Sequence, residues 1–270
     1  MKTWFVTGAT RGLGYAWVEA VLERGDRVAA TGREIERLDA LTTRFAETLL
    51  PIQLDITDRG AVFAAMSTAR ERFGRLDVVV ANAGYGLFGT IEETNEQQAR
   101  AQVEANLFGT LWTVQAAIPP LRAANGGHIM ITTSIAGVIT FPTAGIYNAT
   151  KWAIEALGET LAKEVADFGI SVTLIEPGSF ATDWNGSSAS HADQLAEYGP
   201  LRARMAAAYG NRSRGEPKAS VKAVLAAADA AKPPLRLFLG PACLPLAKEA
   251  YASRIATWEA WREISDTAAG

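Results

Sequence analysis

The stretch "TWFVTGATRGLG" (residues 3–14) decides the fold. Its first five residues are aromatic, apolar or β-branched and read as a strand. Three glycines follow at 8, 12 and 14, and an amphipathic pattern then runs through residue 24. Strand, glycine turn and helix in that order open a βαβ unit. Gly8 allows the sharp turn, Gly12 lets a ligand approach the backbone, and Gly14 lets the helix pack on the strand. The helix N-terminus then presents free amides and the positive end of its dipole, a setting that suits a pyrophosphate. The spacing is G-x-x-x-G-x-G rather than G-x-G-x-x-G. No Gly-Lys-Ser/Thr follows, so the turn is not a P-loop.

Outward from this turn, short β-branched runs alternate with longer amphipathic ones. Strands are expected at Thr3–Thr7, Arg27–Thr31, Pro51–Leu54, Leu76–Ala81, Gly127–Thr132, Ile170–Ile175 and Leu235–Leu239. Helical patterns fall near 13–24, 34–47, 58–73, 92–123, 147–168 and 217–231. Runs such as "LDVVVA" (76–81) and "VTLIEP" (172–177) are continuously apolar, not alternating, as strands covered on both faces must be. The expectation is a single-domain α/β doubly wound fold of Rossmann type, with a seven-stranded parallel sheet between helix layers. A chain of 270 residues is near the upper limit for one core. Ser179 to Arg214 breaks the rhythm. It is polar and long, and reads either as a substrate lid or as a pair of short surface helices. "GPACLPLAKEAYASRIATWEAWREI" (240–264) reads as a loop and a terminal helix whose two tryptophans pack on the core.

Composition excludes several function classes. A net charge of −3 offers no attraction for nucleic acid. Residues 1–30 carry Arg11, Glu19 and Arg24 among glycines, unlike a signal peptide, and no later apolar run reaches the ~20 residues a bilayer needs. One cysteine, Cys243, cannot form an internal disulfide, which fits a cytoplasmic location. The two histidines, His128 and His191, stand in no metal-binding spacing, so no metal is expected.

"YNATK" (147–151) places a phenol and an ammonium four residues apart, on one face of a helix. With "TGATRGLG" (7–14), "NAG" (82–84), Asn106, Ser134 and "EPG" (176–178), it stands in the order and spacing of the short-chain dehydrogenase/reductase family. The chain resembles that family over its first 180 residues and more loosely at the last strand. "NAGYGLFG" (82–89) and "EPGSFATDW" (176–184) are similar to the branch of 17β-hydroxysteroid dehydrogenases and related carbonyl reductases. Hydride transfer to a ketone leaves an oxyanion that needs a proton, and a free tyrosine, with a pKa near ~10, exchanges one poorly at neutral pH. A nearby ammonium favours the phenolate, so Lys151 would lower the pKa of Tyr147.

The resemblance implies further roles. Ser134, thirteen residues before Tyr147, would hold the substrate oxygen. Lys151 would also hold the nicotinamide ribose, and Asn106 would keep a water near it. The cofactor contacts it implies are Gly8, Thr10, Arg11, Gly12, Leu13, Gly14, Arg33, Asp55, Ile56, Asn82, Ala83, Gly84, Tyr147, Lys151, Pro177, Gly178 and Thr182. Each residue alone has a plainer reading. Tyr147 and Lys151 could be ordinary helix residues, Asp55 a loop residue or cap, and Asn82 and Gly84 parts of the strand end.

Cofactor choice turns on the end of the second strand, "RVAATGRE" (27–34). An acid there would pair with the ribose hydroxyls of NAD and repel a 2′-phosphate. Gly32 stands at that position, Arg33 follows, and Arg11 matches the family's second basic position. NADPH/NADP is therefore the expected cofactor, the alternative being surface arginines with Glu34 on the ribose. Tyr85, Leu87, Phe141, Pro142, Phe180 and Trp184 suggest apolar walls for a small hydrophobic carbonyl or alcohol substrate. The reading is an NADPH-dependent carbonyl reductase. Its rivals are a 3-oxoacyl-thioester reductase, for which Arg202, Arg204, Arg212 and Arg214 could form a basic entrance, and a non-catalytic NADPH-sensing protein. The family also implies a homo-oligomer, a dimer or tetramer.

Overall fold

The computed structural model describes residues 1–182, 184, 186, 188–209 and 213–269, without the side chains of Tyr209 and Ala269. Its strands are β1 (Thr3–Val6), β2 (Arg27–Gly32), β3 (Leu49–Gln53), β4 (Val78–Ala81), β5 (Leu87–Phe88), β6 (Gly127–Thr132), β7 (Ile170–Pro177), β8 (Ser190–His191) and β9 (Arg236–Leu239). Its α-helices are α1 (Gly12–Glu23), α2 (Asp39–Arg44), α3 (Arg59–Phe73), α4 (Glu96–Val103), α5 (Gly109–Ala123), α6 (Gly145–Glu164), α7 (Gly199–Tyr209), α8 (Val221–Asp229), α9 (Cys243–Ala260) and α10 (Arg262–Asp266).

Seven strands form one parallel sheet in the order β3-β2-β1-β4-β6-β7-β9. The order reverses between β1 and β4. Crossovers there leave toward opposite faces and open a crevice at the carboxyl ends of the strands. Successive strand residues point to opposite faces, and the core divides accordingly. Phe5, Val79, Ile129, Ile131 and Leu174 pack with α3, α5 and α6 through Val62, Val114 and Ile154. Trp4, Val6, Val78, Val80, Met130 and Ile175 pack on the other face with α1 and α8 through Trp17, Val21 and Val224. This double coverage is why the strands read as unbroken apolar runs.

Local chemistry sets the helix ends near the site. Asp58 Oδ1 accepts from Ala61 N at 2.9 Å to start α3, and Gly74, at φ 81°, ends it in the left-handed region. The helical pattern expected over 92–123 is real but interrupted. It begins at α4 under an Asn95–Gln98 capping box, widens into a π-helical turn at Glu104–Phe108, and resumes as α5. The terminal helix also differs from expectation. Cys243 and Ala247 are buried, but α9 then overruns the body, leaving Trp258 and Trp261 mostly exposed. No helix among the described residues is long and apolar enough to cross a membrane.

Candidate active site

Every residue named above for catalysis or cofactor contact lines one cavity of about 1690 Å³, except Gly14 and Asn106, which lie behind its wall. A drug-sized pocket is ~300–1,000 Å³, so this cavity has room for a dinucleotide together with a small substrate. At one end is the glycine turn. Gly8 and Gly12 have φ of 65° and 58°, where side chains are strained. A Cβ on Gly8 would lie 2.8 Å from Ala83 Cα, and one on Gly14 2.6 Å from Asn82 Nδ2, so both close approaches require glycine. Asn82 ties three strand ends together, donating to the Thr7 and Gly8 carbonyls at 3.2 and 3.1 Å and accepting from Thr132 Oγ1 at 3.1 Å.

The reactive groups converge further along. Ser134 caps the turn after β6, its Oγ accepting from Ala136 N at 3.0 Å, and its hydroxyl stands close enough to the Tyr147 phenol to favour the phenolate. One turn along α6, Lys151 Nζ donates to the Thr132 carbonyl at 2.9 Å and lies 5.8 Å from the Tyr147 ring centre. Asn106, fully buried in the π-helical turn, grips the backbone of Tyr85: it accepts from Tyr85 N and donates to its carbonyl, both at 3.0 Å. A Cβ on Gly84 would meet Asn106 Oδ1 at 3.0 Å and Lys151 Nζ at 3.9 Å, so the two groups flank one small space. π-helical turns recur at functional sites because the extra residue opens the backbone ladder.

The family model described as short chain dehydrogenase matches residues 2–193. The chain belongs to the short-chain dehydrogenase family. It is similar to an oxidoreductase, BOA17, of Botryotinia fuckeliana, at 40% identity with 98% of both chains covered. Among solved structures it is similar to a short-chain dehydrogenase from Streptomyces avermitilis, at 34% identity and TM-score 0.91 over 99% of this chain and 100% of that one. An alcohol dehydrogenase from the archaeon Thermococcus sibiricus, complexed with 5-hydroxy-NADP, is similar at 28% identity and TM-score 0.73, covering 88% and 96%.

The electrostatics correct one expectation. Burial pushes the Tyr147 phenol above its ordinary value rather than below it, with the Ser134 hydroxyl opposing. Burial also pulls Lys151 down to about 8, while the charge of Glu155 opposes. At the end beside Gly32, Asp55 lines the cavity, but its Oδ1 accepts from Thr57 N and Oγ1 at 2.9 and 2.8 Å, which keeps its carboxyl low. Glu34 sits among arginines: Arg37 Nε is 2.5 Å away and Arg11 Nη2 4.0 Å. The hydrogen bond and charge of Arg37, then Arg11 and Arg33, hold its carboxyl below the usual range. Arg37 escaped the sequence reading, although its signal is the i,i+3 spacing from Glu34. The space beside Gly32 is taken by the methyl of Thr10, against which a Cβ would collide.

The end beyond Tyr147 is aromatic. Tyr85, Phe141, Pro142, Phe180 and Trp184 line the cavity as expected. Leu87 does not: it is buried, and its neighbour Phe88 faces the cavity instead, as strand alternation on β5 requires. Trp184 stands 4.9 Å from the Tyr147 ring and 5.2 Å from Phe88, centre to centre. The segment after β7 is more than surface helices. β8 pairs with β5, and Glu93 accepts from Leu195 N and Arg202 Nη1 at 2.8 and 2.6 Å. Of the four arginines read as a basic entrance, Arg202 is thus engaged by Glu93, Arg204 is exposed and does not line the cavity, Arg214 lines it, and Arg212 lies outside the described residues.

Proposed function

We propose that the chain is an NADPH-dependent carbonyl reductase, acting reversibly on a small hydrophobic ketone or aldehyde. One observation carries the reading: the Ser134 hydroxyl, Tyr147 phenol and Lys151 ammonium meet in the same cavity as the glycine turn and the arginines around Gly32. The residues present fit such a cofactor. The turn leaves room for a pyrophosphate where side chains cannot stand. Arg11 and Arg33 offer planar donors to a 2′-phosphate, with no acid at Gly32 to oppose it. The archaeal relative complexed with 5-hydroxy-NADP supports the same choice.

Bound NADPH would supply the hydride to the carbonyl carbon. This chain's own residues would do the rest. Ser134 donates to the carbonyl oxygen and positions it against Tyr147, whose hydroxyl gives that oxygen its proton as the C–H bond forms. Lys151 stabilises the phenolate left behind, and Asn106 and Gly84 leave the small space beside its ammonium through which a water could restore the proton. Trp184 and Phe88 exclude bulk water and favour an apolar substrate face. Incubation with NADPH and a panel of aldehydes and ketones, followed by cofactor absorbance, tests the reading. Turnover supports it. Tight NADPH binding with no turnover across the panel would return the chain to a sensing role.

A further inference from the structure

We propose that Glu155 and Glu176 form an acid–carboxylate pair sharing one proton beneath the candidate site, and that its single retained charge positions the Lys151 ammonium. The second half rests on the reductase reading; the first stands without it. Glu155 follows Lys151 by four residues on α6 and so lies on the same face one turn away. Glu176 is two residues beyond Leu174 on β7 and points to the same α6-covered side of the sheet. Glu176 is fully buried and Glu155 nearly so, and the two carboxyls converge on one nitrogen, Arg236 Nε.

The donors around them are too few. Among the described residues, no donor reaches Glu155 Oε1 or either oxygen of Glu176. The fourth oxygen, Glu155 Oε2, accepts from Arg236 Nε at 3.3 Å, and that same nitrogen is 3.6 Å from Glu176 Oε1. Arg236 is already shared, its Nη2 donating to Glu159 at 2.7 Å. Two buried carboxylates facing each other over one divided guanidinium would be strongly unfavourable. A single proton resolves this. One carboxyl becomes a donor, fills an empty acceptor on the other, and removes one charge.

The proton belongs on Glu176 because only Glu155 has the Arg236 hydrogen bond to stabilise an anion. Burial, then the neighbouring Glu155 charge, pushes Glu176 well above the usual carboxylate range. The charge left on Glu155 acts on Lys151, favouring its ammonium where burial disfavours it. Gly137 seals the gap: a Cβ there would lie 2.9 Å from the Lys151 carbonyl and 3.0 Å from Glu155 Cγ. The other groups facing the pair are Glu159 on α6, Arg236 on β9, Thr133 after β6, and the Cys243 thiol on α9. Tyr147 and Lys151 lie above it.

Infrared spectroscopy of the NADPH-free protein near pH 7 should show a protonated-carboxyl band that disappears in Glu176→Gln. Absence of any band sensitive to that substitution overturns the shared proton, whatever the activity. The positioning role is read from pH profiles of kcat/KM, or of NADPH binding if no substrate is turned over. Glu155→Gln should move the alkaline limb to lower pH by about one unit. Glu155→Asp, which keeps the charge, should restore it, and Glu176→Gln, which replaces a neutral acid by a neutral amide, should leave it in place. A limb that moves equally in Glu155→Gln and Glu176→Gln, or in neither, overturns the positioning role. If Glu155→Gln does not fold, the band and the limbs of the other two variants decide.

Discussion

Tyr147 packs against Ala136 and Ala144 under Phe141 and Trp184, contacts that a phenylalanine would keep. Tyr147→Phe should therefore bind NADPH normally while turnover falls ~10²–10⁴-fold, the usual worth of a general acid. Activity above about a tenth of wild type would remove the proton-donor role. Since burial draws Lys151 to about 8, ketone reduction should decline as pH rises through that value, visible as the alkaline limb of kcat/KM. At the other end, Arg11→Ala and Arg33→Ala should each weaken NADPH about ten- to a hundredfold, the effect of losing ~1.5–3 kcal/mol of charge-assisted contact, with NADH little changed. Equal losses for both cofactors would place these arginines elsewhere. The structure adds a steric condition. Gly32→Asp alone drives its Cβ into the Thr10 methyl and should weaken both cofactors. Thr10→Ser with Gly32→Asp gives the new side chain room and should move preference toward NADH.

At the scale of elements, the described residues between Ser179 and Arg214 are held along one flank and line the cavity along the other. Glu93 ties them through Arg202 and Leu195 N, and Gln98 Nε2 adds a bond to the His191 carbonyl at 2.9 Å. Arg202→Ala should increase proteolytic cutting in this segment and raise KM for substrate more than for NADPH. Unchanged cutting would mean that the segment is fixed by other contacts. The strands of the main sheet were legible because both faces are covered, which writes each as a continuous apolar run. The glycine turn and Tyr147–Lys151 were legible because their chemistry is local, within one turn of chain. What escaped depends on distant partners. β5 and β8 are two residues each and pair across a hundred residues of sequence. Asn106, in the π-helical turn, grips Tyr85 from 21 residues away, and the Arg236–Glu155–Glu176 cluster joins α6, β7 and β9, which no spacing reveals.

For the whole molecule, His128 is the group whose titration should dominate mild-acid stability. It is buried on β6, and its Nε2 lies 2.8 Å from Thr173 Oγ1 on β7. The Thr173 hydroxyl donates to the Pro234 carbonyl at 2.6 Å, so the imidazole must be the donor to Thr173, a neutral Nε2–H tautomer bridging toward β9. Burial first, and Lys2 second, pulls its pKa from 6.5 to about 4. The unfolded chain therefore takes up the proton first as pH falls. Stability from this group is complete above ~6.5 and is lost as pH drops toward about 4. Between pH 7 and 5 that amounts to about 2 kcal/mol, or ~4–8 °C in Tm for a domain of this size. Other groups act in different windows or with opposite sign. Glu93, held to about 2 by its Thr90 backbone hydrogen bond first, loses its contribution only below the ordinary carboxylate range. The raised Glu155–Glu176 pair favours the folded state more as pH falls. His128→Gln keeps an N–H for Thr173 and removes the titration. The Tm advantage of wild type over this variant should therefore shrink by ~4–8 °C from pH 7 to pH 5 in thermal melts. A difference that stays constant across that range would show that His128 does not titrate there.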